Sequence, residues 1–155
     1  MDNDIRRTLE GVKSGAISID DALSIFKQKP FEELGYAKVD LHRKVRQGVS
    51  EVVYGAGKTA DQIVGIANSL IEGGQDRLLI TRLDPEKADK VASRIPIEYD
   101  ATARLATFGD MPVPDGIGTI SVATGGTSDI PVAEEAVLTA QILGNEVTRA
   151  YDMGV

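Results

Sequence analysis

Twice along this 155-residue chain a short β-type run passes through a glycine-rich turn into an amphipathic helical pattern. The first instance is Val52-Val53-Tyr54, then Gly55-Ala56-Gly57-Lys58, then a face built from Ile63, Ile66, Ala67 and Leu70. The second is Ile117 to Ala123, then Thr124-Gly125-Gly126-Thr127-Ser128-Asp129, then Ala133, Ala136, Val137, Ala140 and Leu143, ending at Gly144. Strand, tight turn and helix in that order open a crossover between parallel strands, so the predicted class is α/β with parallel βαβ units.

The intervening segments fit that plan. Leu78-Leu79-Ile80-Thr81 reads as a strand, and Asp84-Pro85 places a cap and a first-turn proline at the start of another helix. Residues 97–99 and 104–108 read as short strands, and Glu146 to Ala150 as the last one. Ile117 to Ala123 has the composition of a buried strand. Ahead of all this, Ile5, Leu9 and Val12, then Ile19, Ala22, Leu23 and Phe26 behind a Ser18 cap, predict two short helices. The break Met111-Pro112-Val113-Pro114-Asp115-Gly116 is the strongest in the chain. The expected organisation is therefore a helical arm over 1–30, a small α/β domain over 31–114, and one βαβ unit over 115–155.

Composition removes several chemistries. The absence of cysteine excludes thiol catalysis and cysteine-ligated metals in this chain, and a single histidine, His42, excludes a multi-histidine site. No apolar run approaches the roughly 18 residues of a membrane span, and Met1-Asp2-Asn3-Asp4 is no secretion signal, so a cytoplasmic location is expected. A net charge of -7 argues against nucleic acid as partner.

Three constellations could carry chemistry. Gly55, Gly57, Lys58 and Thr59, with Arg82 at the end of the next strand, form a possible anion site from backbone N-H groups and a helix start. A nucleoside-triphosphatase phosphate loop is disfavoured, because Val52 stands where its first glycine is needed. The alternative is a tight βα connection with a solvated lysine, and Thr59 with Gln62 makes a capping box. Gly125, Gly126, Thr127, Ser128 and Asp129 add two hydroxyls and a carboxylate to the same layout, suited to phosphate and ribose, unless Ser128 or Asp129 only caps the helix. Asp40, His42, Arg43 and Arg46 form a possible basic patch, read here on a helix where Asp40 pairs with Lys44. A solvated, salt-bridged helix is the competing reading.

Val39-Asp40-Leu41-His42-Arg43, Arg46-Gln47-Gly48, 51–59, Thr81-Arg82-Leu83, Ala101-Thr102-Ala103 and 131–136 together resemble the LarB family over nearly the whole chain. That family is similar in its C-terminal domain to PurE, the aminoimidazole ribonucleotide carboxylase or mutase. The resemblance implies that the last unit begins a PurE-like, flavodoxin-type domain. It also implies an activity: carboxylation of the pyridinium ring of nicotinic acid adenine dinucleotide with CO2 or bicarbonate, then cleavage of the phosphoanhydride with release of AMP. This gives pyridinium-biscarboxylic acid mononucleotide for the nickel-pincer cofactor.

In PurE-like turns of the Gly-Ser-x-Ser-Asp type the nucleotide phosphate and ribose are held at positions matching Gly125 to Asp129, and here a glycine replaces the first serine. The family's His-Arg loop and its cysteine have no counterpart in this sequence. The expectation is therefore an N-terminal portion of a longer enzyme, with no catalytic residue in this chain and no activity by itself. No covalently bound cofactor is implied, and magnesium held through carboxylates such as Asp40 is an open option. The implied partners are a nucleotide-type small molecule and further copies of the chain in a homo-oligomer. A carboxyaminoimidazole ribonucleotide mutase or carboxylase relative, or a non-catalytic nucleotide-binding or assembly domain, are the competing functions.

Overall fold

The computed structural model describes residues 2–27, 31–40 and 51–154. Helices α1 (Asp2–Lys13) and α2 (Ile19–Lys27) open the chain. Ser18 caps α2, its Oγ accepting from the Asp21 N-H at 3.0 Å and donating to the Asp21 carboxylate at 2.6 Å. A hairpin of β1 (Phe31–Glu33) and β2 (Lys38–Asp40) follows. Asp40 therefore closes a strand, and Lys44, its partner in the helical reading, lies outside the described residues. Val39 is buried while Lys38 is exposed, the period-two contrast of a strand with one covered face. His42, Arg43 and Arg46 lie outside the described residues.

The centre is a four-stranded sheet in the order β3 (Val52–Tyr54), β4 (Leu78–Thr81), β6 (Leu105–Phe108), β5 (Ile97–Asp100). Helix α3 (Ala60–Glu72) links β3 to β4, and α4 (Pro85–Ala92) links β4 to β5. Strands β3 and β4 are parallel, as their helical crossover requires, with Val53 opposite Ile80. The sheet is mixed beyond them. β6 turns back from β5 through a short connection and inserts antiparallel beside β4, pairing Leu79 with Thr107 and Tyr99 with Ala106.

β4 is buried along its whole length because both faces of the sheet are covered. Leu78 and Ile80 face α3 and α4, where Ile63, Leu70, Leu83 and Val91 are fully buried in one cluster. Leu79 and Leu105 point to the other face and meet Ile142 and Leu138 of α5 (Ile130–Ile142). The period of two in the strands thus divides one sheet between two cores.

Residues 109–118 hold neither helix nor strand. Beyond them β7 (Thr119–Ala123) and β8 (Glu146–Ala150) pair in parallel around α5 as a second, two-stranded sheet. The buried strand expected at Ile117 to Ala123 is largely exposed, with Ile120 at 42%. β8 pairs with it along one edge and α5 packs against one face. No helix among the described residues is long and apolar enough to cross a membrane.

Candidate functional site

The turn after β3 is held by close backbone approach. Gly55 N-H donates to the Thr81 carbonyl at 2.7 Å. A Cβ at Gly55 would stand 2.8 Å from that oxygen and 3.3 Å from the Arg82 carbonyl, so only glycine lets the ends of β3 and β4 come this near. Gly57 takes φ 77°. Thr59 caps α3, accepting from the Gln62 N-H at 3.2 Å while the Gln62 side chain accepts from the Thr59 N-H at 3.0 Å. Lys58 folds back to donate to the Tyr54 carbonyl at 2.8 Å. The first anion constellation is thereby divided. Lys58 and Thr59 are engaged locally, whereas Gly57 and Arg82 face a common cleft of about 380 Å³.

That cleft brings together three cations, Arg82, Lys87 and Arg104, and two carboxylates, Asp84 and Glu135. Arg82 pairs with Glu135 of α5 at 3.1 Å, and Lys87 with Asp84 at 3.0 Å. The Lys87 backbone N-H, more than its ammonium, holds the Asp84 carboxyl below its ordinary value, as befits a helix cap. Arg104 makes no ion pair among the described residues. Both arginines sit in the left-handed region, with φ 54° at Arg82 and 51° at Arg104. Their neighbours hold them there. Leu83 N-H donates to the Arg104 carbonyl at 2.8 Å, and Ala103 N-H to the Asp100 carboxylate at 2.7 Å, with the Leu83 and Ala103 side chains buried. Tyr99 adds a hydrogen bond to the Leu83 carbonyl at 2.9 Å, and burial raises its phenol pKa. Non-glycine residues forced into this region store strain and cluster at functional sites.

The Thr124–Asp129 turn occupies the carboxyl ends of β7 and β8. Thr124 anchors it from a buried position, its Oγ1 accepting from Asp152 N-H at 3.0 Å and its carbonyl from Met153 N-H at 2.9 Å. A Cβ on Gly125 or Gly126 would meet nothing within 4 Å, so packing does not demand glycine there. Thr127 and Ser128 are exposed, and among the described residues their hydroxyls make no protein hydrogen bond. Asp129 accepts from Gly126 N-H at 3.3 Å, closing the short turn Thr127–Asp129 and not capping α5. The first two turns of α5 then supply Pro131, Val132 and Glu135 to the Arg82 cleft, so the second glycine turn leads directly into a wall of the first site. Sequence reasoning missed Lys87, Arg104 and Glu135. The Ala101-Thr102-Ala103 motif beside Arg104 was the available signal.

Behind the turn, Glu134 fastens α5 to the end of β8. It accepts from Arg149 Nε at 2.9 Å and Nη2 at 3.0 Å, and from the Tyr151 hydroxyl at 2.8 Å. The Arg149 hydrogen bonds, opposed by burial and aided by Tyr151, hold the Glu134 carboxyl below its usual range. A carboxyl lowered in the folded state contributes stability above its unfolded value, and that stability is lost as pH falls through the folded value. Glu134→Gln should cost about 1 kcal/mol near neutrality. The cost should shrink on acidification below the ordinary carboxylate range. Denaturation at several pH values checks this, and a cost independent of pH would show that charge plays no part.

Among the described residues no group of three histidine or carboxylate side chains is placed to hold a metal ion. The magnesium expectation rests on Asp40 at the end of β2.

The family model of the LarB/PurE-like N-terminal domain matches residues 31–110. The chain belongs to that family. The match takes in the whole four-stranded sheet, both of its crossover helices and three cationic residues of the cleft, Arg82, Lys87 and Arg104. An uncharacterized protein of Methanocaldococcus jannaschii is 36% identical over 163 aligned positions, which cover 100% of this chain and 63% of that relative. The chain thus spans under two thirds of the length of the curated relative it matches.

Proposed function

We propose that the chain is the N-terminal portion of a LarB-like synthase that carboxylates the pyridinium ring of nicotinic acid adenine dinucleotide and cleaves its phosphoanhydride. The observation that carries this reading is the open turn at Gly125 to Asp129. Two glycines leave empty space where a Cβ would stand, and the Thr127 and Ser128 hydroxyls beside them make no hydrogen bond among the described residues. Such a turn at the carboxyl ends of parallel strands is where ligands of open α/β sheets bind. Membership of the LarB/PurE-like family supports the substrate class.

In this reading the glycine backbone approaches a phosphate, Thr127 and Ser128 donate to its oxygens, and Asp129 accepts from a ribose hydroxyl. The full-length gene product, given the dinucleotide and bicarbonate, should release AMP, and Ser128→Ala should raise KM about tenfold with little change in melting temperature. Full-length protein that binds carboxyaminoimidazole ribonucleotide more tightly than the dinucleotide, and releases no AMP, would move the assignment to PurE-type chemistry.

A further inference from the structure

The cleft between the sheet and α5 has no part in the turn just described, and its contents are unusual for a structural crevice. It holds three cations against two carboxylates, and Arg104, on the 101–104 connection, has no carboxylate partner among the described residues. Its two arginines are 22 positions apart and share the left-handed conformation, joined through the hydrogen bond from Leu83 to the Arg104 carbonyl. Strain of this kind persists only where the surroundings impose it, and here it brings two guanidinium groups to one cavity. Gly57 also lines the cleft, and the exposed side chain of Val132 adds an apolar group to its edge on α5. At about 380 Å³ the cavity has room for more than a lone phosphate, within the range of small-molecule sites.

Glu135 is the informative member. Its pair with Arg82 is the only ion pair among the described residues that joins the four-stranded sheet domain to the β7-α5-β8 unit. A carboxylate seated on an otherwise available guanidinium occupies the position an anionic ligand would take. We propose that this cleft binds the phosphoryl end of a nucleoside diphosphate through Arg82, Lys87 and Arg104, and that Glu135 is a built-in competitor which the phosphate displaces from Arg82. Binding then exchanges an internal ion pair for a ligand contact, and the tie between the sheet and α5 loosens as the site fills. The inference stands on the cleft and does not depend on the carboxylation chemistry proposed above.

Calorimetric titration of the chain with ADP, with adenosine and inorganic phosphate as comparisons, tests it. ADP should bind more tightly than adenosine, and added salt should weaken it. Arg104→Gln should weaken ADP binding at least tenfold. Arg104→Gly removes the same guanidinium while suiting the left-handed backbone, so it should lose binding with an unchanged or higher melting temperature. Glu135→Gln should tighten ADP binding about threefold to tenfold, because the competitor's charge is gone. Absence of ADP binding, equal affinity for adenosine, wild-type affinity in both Arg104 variants, or weaker binding in Glu135→Gln would each overturn the proposal. None of these variants touches Ser128 or the AMP-release assay, so this inference and the proposed function can fail separately.

Discussion

Gly55→Val should cost about 2–4 kcal/mol of stability, combining overpacking against backbone with the loss of a buried hydrogen bond. The neighbours of the new side chain would be the Thr81 and Arg82 carbonyls, at 2.8 and 3.3 Å from its Cβ. Neither is the movable end of a side chain, so β3 must withdraw from β4. That withdrawal breaks the 2.7 Å bond from Gly55 to Thr81 and shifts Arg82 in its cleft. Gly57→Ala is the control, since Gly57 has φ 77° but nothing within 4 Å of its Cβ. Its cost should stay near 1 kcal/mol, the price of a left-handed alanine. Urea denaturation of both variants gives the comparison, and a Gly55→Val cost no larger than that of Gly57→Ala would refute the close-approach argument.

Leu105→Ala should cost a similar amount, about 2–4 kcal/mol, by leaving a cavity in the smaller core. Leu105 is 1% exposed and packs with Leu79, Ala103 and Ile142, with Leu138 at the edge. This cluster is small, and apart from it α5 is tied to the sheet domain by the Arg82–Glu135 pair. The expected result is therefore uneven. Amide exchange should quicken over 130–142 and on the α5 face of β4 and β6, while α3 keeps its protection through the larger cluster of Ile63, Leu70, Leu78 and Ile80. Uniform loss of protection in α3 and α5 would mean that the two cores unfold as one unit.

Much of the secondary structure was legible because its signals are local. The Thr59–Gln62 box, the Asp84-Pro85 start and the Ser18 cap each act within three or four residues, and each is formed as the sequence predicted. The parallel pairing of β3 with β4 was equally legible, since a helical crossover leaves no short route to an antiparallel partner. The placement of β6 was not. Arg104 to Phe108 reads as a strand whichever neighbour it joins, and the insertion of β6 between β4 and β5 depends on Leu79 and Leu105 sharing a face with Ile142.

The candidate sites divide along the same line. The glycine turns, the helix starts beside them and the family to which residues 31–110 belong were all determined by the order of residues, because each needs only a short stretch of chain to be recognised. That Lys58 turns away to Tyr54 while Arg82, Lys87, Arg104 and Glu135 converge was decided only by the tertiary structure. These four come from the end of β4, from α4, from the connection into β6 and from α5, and their meeting is fixed by the buried neighbours Leu83, Ala103 and Leu105. Local preference sets where a chain turns, but the free energy of burying those apolar side chains sets which distant charges must then share a cleft.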